Sequence, residues 1–228
     1  MTMRVLLFGA TGMVGQGVLR ECLLDPDVSE VLVVGRSAME NSDANPDRAR
    51  KLREIVVPNV ADLSGYESSL AGFDACFFCL GVSSVGMSEA DYRRITFDLT
   101  LAVAKTLARL NPGMTFVYVS GAGTDSTERG RIMWARVKGE TENALLRLPL
   151  KAVMFRPGFI APAPGIRSKT RLYRFLYALA RPLTPLLRAA FPNHVTTSER
   201  VGRAMLRVAK RGSPKPIVEM ADLRALTD

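Results

Sequence analysis

The sequence is short of the residues that build metal and disulfide chemistry: its 228 residues include three cysteines and one histidine. So few cysteines, odd in number, make no disulfide framework. Cys76 and Cys79 form a C-x-x-C, yet Asp74-Ala-Cys-Phe-Phe-Cys-Leu-Gly81 reads as a buried strand. Strand residues three apart point to opposite faces, so the two thiols are not expected to meet. His194 has no cysteine or acidic cluster beside it, and no metal site is expected. No apolar run approaches the ~20 residues that a membrane span requires. A secretory pattern is also missing, because the first apolar run ends in a glycine turn rather than a cleavage site. A cytoplasmic protein is the expectation. Acidic residues are absent from one whole interval, between Glu142 and Glu199, which holds Arg147, Lys151, Arg156, Arg167, Lys169, Arg171, Arg174, Arg181 and Arg188. Those nine charges equal the formal net charge of +9 of the whole chain. An acidic ligand, an acidic partner or a membrane surface fits such an interval.

What is present begins at once. Val5, Leu6, Leu7 and Phe8 form a continuous apolar run, suited to a strand covered on both faces of a parallel sheet. Gly9, Gly12 and Gly15 follow in the pattern G-x-x-G-x-x-G, and the amphipathic segment Met13 to Leu24 follows them. Glycines there permit a tight turn, close approach of backbone to a pyrophosphate and close helix packing, while the free N–H groups of the helix attract negative charge. An ordinary strand-to-helix turn would also use such glycines; the strand before and the helix after favour a dinucleotide phosphate site. Gly9, Thr11, Gly12, Met13, Val14 and Gly15 are its candidate residues.

The rest of the chain alternates. Strands are expected at Val31 to Val34, Glu54 to Val57, Ala75 to Leu80, Thr115 to Val119 and Ala152 to Phe155, with helices at Ser88 to Leu110 and Arg131 to Arg147. A short helix is expected between Asp62-Leu63 and Ala71, and Ser37 to Ala49 reads as irregular. Alternation at these lengths implies an α/β doubly wound parallel sheet of Rossmann type. Ligands bind such sheets beyond the carboxyl ends of the strands. Arg36, Asp62, Leu63, Leu80, Gly81, Val82, Ser120, Pro157 and Gly158 fall at or just after those ends. Arg36 follows the second strand where an acidic side chain would bind the ribose hydroxyls of NAD; arginine favours the 2′-phosphate of NADP. NADP is therefore expected over NAD, with Arg48, Arg50, Lys51 and Arg53 either assisting or solvated.

Ser120 taken together with Trp134-Ala-Arg-Val-Lys138-Gly-Glu resembles the atypical branch of the short-chain dehydrogenase/reductase superfamily, of the Tat-interacting-protein type and of bacterial proteins labelled epimerases. The resemblance runs from the glycine turn to Phe155-Arg-Pro-Gly158. It implies a serine after the fifth strand, here Ser120, and a tyrosine and lysine four apart on the next helix, where residues share a face. Lys138 matches the lysine, which would also hold the cofactor ribose; Trp134 stands where the tyrosine is expected, and no tyrosine lies between Tyr118 and Tyr173. Indole N–H donates a hydrogen bond but does not shuttle a proton near neutral pH.

The resemblance implies a single domain over residues 1–228, with a core at 1–157 and a small, mostly helical cap and last elements at 158–228 on the substrate side. Ser168 begins a cap helix with an apolar stripe of Leu172, Phe175, Leu176 and Leu179 and a basic one of Arg167, Arg171, Arg174 and Arg181. A helix from Thr197-Ser198 through Val208 and an edge strand at Pro216 to Glu219 complete the chain. Three functional readings follow: an NADP(H)-dependent carbonyl reductase or epimerase-type oxidoreductase, an NADPH-binding sensor or scaffold without catalysis, and an NADPH-binding protein held on anionic membrane. The expected partner is a small-molecule substrate, acidic if the basic interval faces it. No nucleic-acid reading motif accompanies the charge, and a homodimer is implied by the family likeness alone.

Overall fold

A computed structural model describes residues 2–39, 46–161 and 195–227. Strand β1 (Met3–Phe8) leads into helix α1 (Met13–Leu24), and β2 (Val28–Gly35) follows. After a short helix α2 (Pro46–Ala49) come β3 (Leu52–Val56), a 3-10 turn with the short helix α3 (Glu67–Leu70), and β4 (Ala75–Phe78). The helix expected over Ser88 to Leu110 is α4 (Glu89–Arg93) and α5 (Leu99–Leu110) joined by a π-helical turn at Arg94–Asp98. Ser88 starts it by accepting a hydrogen bond from the Asp91 backbone N–H, a cap that satisfies an orphan donor of the first turn. Then come β5 (Thr115–Val119), α6 (Met133–Leu146), β6 (Lys151–Arg156), β7 (Phe159–Ala161), β8 (Val195–Thr197), α7 (Ser198–Arg211), β9 (Ile217–Glu219) and α8 (Met220–Ala225).

Seven strands form one parallel sheet in the order β3-β2-β1-β4-β5-β6-β9, and β7 pairs with β8 beside it. The order reverses between β1 and β4, which makes their carboxyl ends the crevice of a doubly wound sheet. Both faces are covered, which is why the strands read as continuous apolar runs rather than alternating ones. One face packs Val5, Leu7, Val31 and Val33 against Val18 and Cys22 of α1 and Val201, Met205 and Val208 of α7. The other packs Leu6, Phe8, Phe78 and Phe116 against Val103 and Leu107 of α5 and Leu145 of α6. On that face Phe8, Phe78 and Phe116 stack across β1, β4 and β5 with ring centroids 5.6 and 5.8 Å apart. Each such buried ring contributes about 1.5–3 kcal/mol.

Cys76 belongs to the second of these layers and Cys79 to the first, so the C-x-x-C thiols lie on opposite sides of the sheet and remain free. Burial pushes the thiol of Cys76 up, away from the reactive thiolate form. The last two core elements come from far along the chain: β9 extends the sheet beyond β6, and α7 lies against α1. That contact is very close. A Cβ on Gly17 would fall 2.4 Å from Cβ and Oγ of Ser198, and one on Gly202 would fall 3.0 Å from Cα of Val18. The cap helix expected from Ser168, its basic stripe and His194 lie outside the described residues. Among the described residues, no helix is long and apolar enough to cross a membrane, and no three or more His, Cys, Asp or Glu are placed to hold a metal ion.

Candidate functional site

The turn after β1 is built by the absence of side chains. Gly9 has φ +84°, and a Cβ there would meet backbone atoms of Cys79 at 2.7 Å and of Leu80 at 2.8 Å. Gly9 thus lets β1 exit directly over the end of β4. Gly12 donates its N–H to the Gly9 carbonyl at 3.0 Å and serves as the N-cap of α1 in an extended conformation. Gly15 is the tightest of the three, since a Cβ would lie 2.1 Å from the Gly9 carbonyl oxygen. Gly12 has no side chain to cap α1, and no acidic residue sits in the helix's first turn. The helix N-terminus therefore offers its positive end and its N–H groups to an outside anion. Thr11, Met13 and Val14 lie within this turn and first helical residues, with Gln16 Nε2 donating to the Thr11 carbonyl at 3.1 Å.

Because the strands are parallel, the remaining candidates reach the same edge. Arg36 is exposed just past β2. Asp62 is exposed beyond β3, and hydrogen bonds from the Ser64 hydroxyl and backbone N–H hold its carboxyl below the usual carboxylate range. Leu63 beside it is buried. Leu80 is half-buried after β4, while Gly81 and Val82 are exposed. Pro157 follows β6 and accepts the Ala122 N–H at 2.9 Å, with half-buried Gly158 next to it. Two residues of the basic run do not join them. Lys51 donates to the Asp25 carbonyl at 2.9 Å and Arg53 pairs with Glu30 at 2.9 Å, both toward the amino-terminal half of β2 and β3. They stabilise the opposite end of the strands.

Ser120 directly follows β5, its backbone N–H donating to the Phe155 carbonyl at 2.8 Å. Its own carbonyl accepts from Lys138 Nζ at 3.0 Å, so the lysine of α6 is drawn onto the end of β5. Lys138 also lies 5.7 Å from the centre of the Tyr118 ring. Burial is the main influence on this ammonium, and it lowers the pKa to about 8, partly opposed by the Glu142 carboxylate. Trp134, Lys138 and Glu142 follow one another at four-residue spacing and share one side of α6. Trp134 is half-buried and covers the turn of Gly123, where a Cβ would come 3.6 Å from its ring. Gly139 lets α6 approach that loop: a Cβ would lie 1.8 Å from the Asp125 carbonyl oxygen.

The most buried charges of the site were not singled out as functional residues from the sequence. Arg156, at the end of β6, donates to fully buried Glu142 through Nε at 3.0 and 3.2 Å and again through a terminal nitrogen. It also donates to Ser126 and pairs with Glu219 at 3.1 Å. One guanidinium thereby ties α6, the loop after β5 and the end of β9. The available signal was an arginine beside the apolar run Val153 to Phe155, facing a glutamate four residues beyond Lys138.

The family of NAD dependent epimerases and dehydratases matches residues 5–128. Among curated proteins, the chain is 30% identical over 171 residues to "Protein fmp52, mitochondrial" of Emericella nidulans, covering 73% of this chain and 70% of that one. It is 27% identical over 157 residues to the protein HTATIP2 of Rattus norvegicus, covering 68% of this chain and 62% of the rat protein. Among solved structures, it shares its fold with WbmF of Bordetella bronchiseptica, whose crystal structure is a complex with NAD+: TM-score 0.66 and 18% identity over 98% of this chain and 77% of that one. The expectation of a cytoplasmic protein is overturned here, since fmp52 relatives from Emericella nidulans, Eremothecium gossypii and Aspergillus fumigatus are all named mitochondrial.

Proposed function

The chain belongs to the NAD dependent epimerase/dehydratase family, in the atypical short-chain dehydrogenase/reductase branch, and from that premise we propose that it is an NADP(H)-dependent oxidoreductase acting on a carbonyl or hydroxyl substrate without a catalytic tyrosine. The observation that carries the cofactor half is the glycine turn, where a Cβ on Gly15 would fill the approach to Gly9. A pyrophosphate fits against Gly12, Met13 and Val14 at the uncapped helix end. Arg36, exposed just past β2, would meet a 2′-phosphate, Asp62 and Leu63 would flank the adenine side, and Leu80 to Val82 with Pro157 and Gly158 would line the nicotinamide side. NADP(H), when bound, supplies hydride acceptance or donation. The chain's residues then hold the substrate oxygen: Lys138 as a positive donor, Ser120 beside it, and Trp134 as an apolar wall whose N–H can donate but not exchange a proton.

A second reading, a sensor or scaffold that binds NADPH without turnover, is favoured by that same Trp134. One experiment separates them. Trp134 is the only tryptophan of the chain, so its fluorescence reports on the site directly. Quenching by NADPH should exceed that by NADH, and Arg36→Ala should weaken NADPH about tenfold while leaving NADH unchanged. Cofactor oxidation is then followed over a panel of aldehydes and ketones. Turnover in the wild type supports the enzyme; tight NADPH binding without turnover, with activity appearing in Trp134→Tyr, supports the sensor. No nucleotide response at all removes both.

A further inference from the structure

Two hydroxyls at the end of β5 carry an orientation that the family resemblance does not supply. Ser120 Oγ and Thr124 Oγ1 are 3.0 Å apart, both residues are more than nine-tenths buried, and Thr124 Oγ1 lies 2.8 Å from the Gly121 carbonyl. A hydroxyl has one proton. The Gly121 carbonyl only accepts, and it is the nearer and stronger acceptor, so the Thr124 proton belongs to it. The contact between the two hydroxyls is then made by the Ser120 proton, donated to Thr124 Oγ1. Ser120 is left with lone pairs and no proton to donate further.

Resting on the oxidoreductase reading above, we propose that Thr124 is a positioning residue that turns Ser120 into a hydrogen-bond acceptor, so that the site selects the hydroxyl form of its substrate over the carbonyl form. A hydroxyl donates to Ser120 and accepts from Lys138, whose ammonium is anchored on the carbonyl of the same serine. A ketone oxygen only accepts, and toward Ser120 it meets lone pairs. An unmatched acceptor pair in a buried site costs about as much as one hydrogen bond.

The test uses two dead-end ligands on the NADP+ complex, read by Trp134 fluorescence. 1-Methylcyclohexanol has no carbinol hydrogen to give up, and cyclohexanone has no hydride to receive from oxidised cofactor, so neither reacts. The wild type is expected to bind the alcohol about fivefold to tenfold more tightly than the ketone. Thr124→Val returns the Ser120 proton to the crevice and should abolish the preference, with NADP+ affinity unchanged. Thr124→Ser should keep it, and Ser120→Ala, which removes the acceptor without touching Thr124, should lose it. Equal affinities in the wild type, saturation by neither ligand, or an unaltered preference in Thr124→Val or Ser120→Ala overturns the proposal. A wild type that does not respond to NADP+ counts instead against the cofactor reading on which it rests.

Discussion

The two halves of the carboxyl edge are shaped by opposite means. On the β1 side the site is made by leaving atoms out: Gly9, Gly12 and Gly15 bring backbone against backbone, and any side chain would occupy the space. On the β5 and β6 side it is made by burying charge: Arg156 is locked to Glu142, Glu219 and Ser126, and Lys138 is drawn onto the Ser120 carbonyl. The first half depends on steric permission, which a sequence displays as glycine. The second depends on mutual compensation of charges that come from three elements, α6, β6 and β9. Steric permission tolerates no substitution at the contact, whereas a compensated network fails when one member is withdrawn and leaves its partner unpaired.

Withdrawing Glu142 should break the charged half most severely. Glu142→Ala leaves the buried Arg156 without its principal partner, and denaturant unfolding should show a loss of about 3–5 kcal/mol. A loss below about 1 kcal/mol would mean that Glu219 alone compensates the guanidinium and would erase the contrast. The steric half should break next. Gly15→Ala forces a methyl group to within contact of the Gly9 carbonyl, costing about 1–3 kcal/mol and abolishing NADPH quenching of Trp134. Gly65→Ala, where a Cβ meets nothing within 4 Å, is the matched control and should change neither.

The smallest effect separates Lys138 from both. Its folded pKa, lowered to about 8 by burial, lies below that of a lysine in the unfolded chain, near ~10.4. Between those values the unfolded chain binds more protons, so stability should rise as pH increases from about 8 and level off above the unfolded value. Lys138→Met should flatten that limb. The side chain is only half-buried, so retained hydration keeps the effect below the other two. A flat profile in the wild type would place the ammonium in full contact with solvent.

What was legible in the sequence follows the same division. The parallel sheet could be read because strands covered on both faces have no alternation to obscure them, and Val5 to Phe8, Ala75 to Phe78 and Phe116 to Val119 are continuous apolar runs. The glycine turn and Ser120 were legible because they sit at strand ends, and parallel topology carries every strand end to one edge. Sequence left Lys51 and Arg53 open between assisting Arg36 and lying in solvent, and their ties to Asp25 and Glu30 at the other end of the strands were not legible, since closeness in sequence does not show that a strand separates its two ends. Expected as one helix, Ser88 to Leu110 contains a π-helical turn at Arg94–Asp98, where Arg93 lies over the Phe97 ring at 4.0 Å and pairs with Glu140 of α6. That partner comes from another helix, and periodicity carries no trace of it.

By itself the sequence determined the α/β class, the glycine turn after β1 and the edge to which the strand ends are carried, because local backbone sterics and strand burial are written residue by residue. Only the tertiary structure decided that Glu142 faces Arg156, that Lys138 reaches the Ser120 carbonyl, and that Gly17 admits Ser198 of a helix 181 residues away. Such contacts join distant segments, and their energy exists only when both partners are buried together.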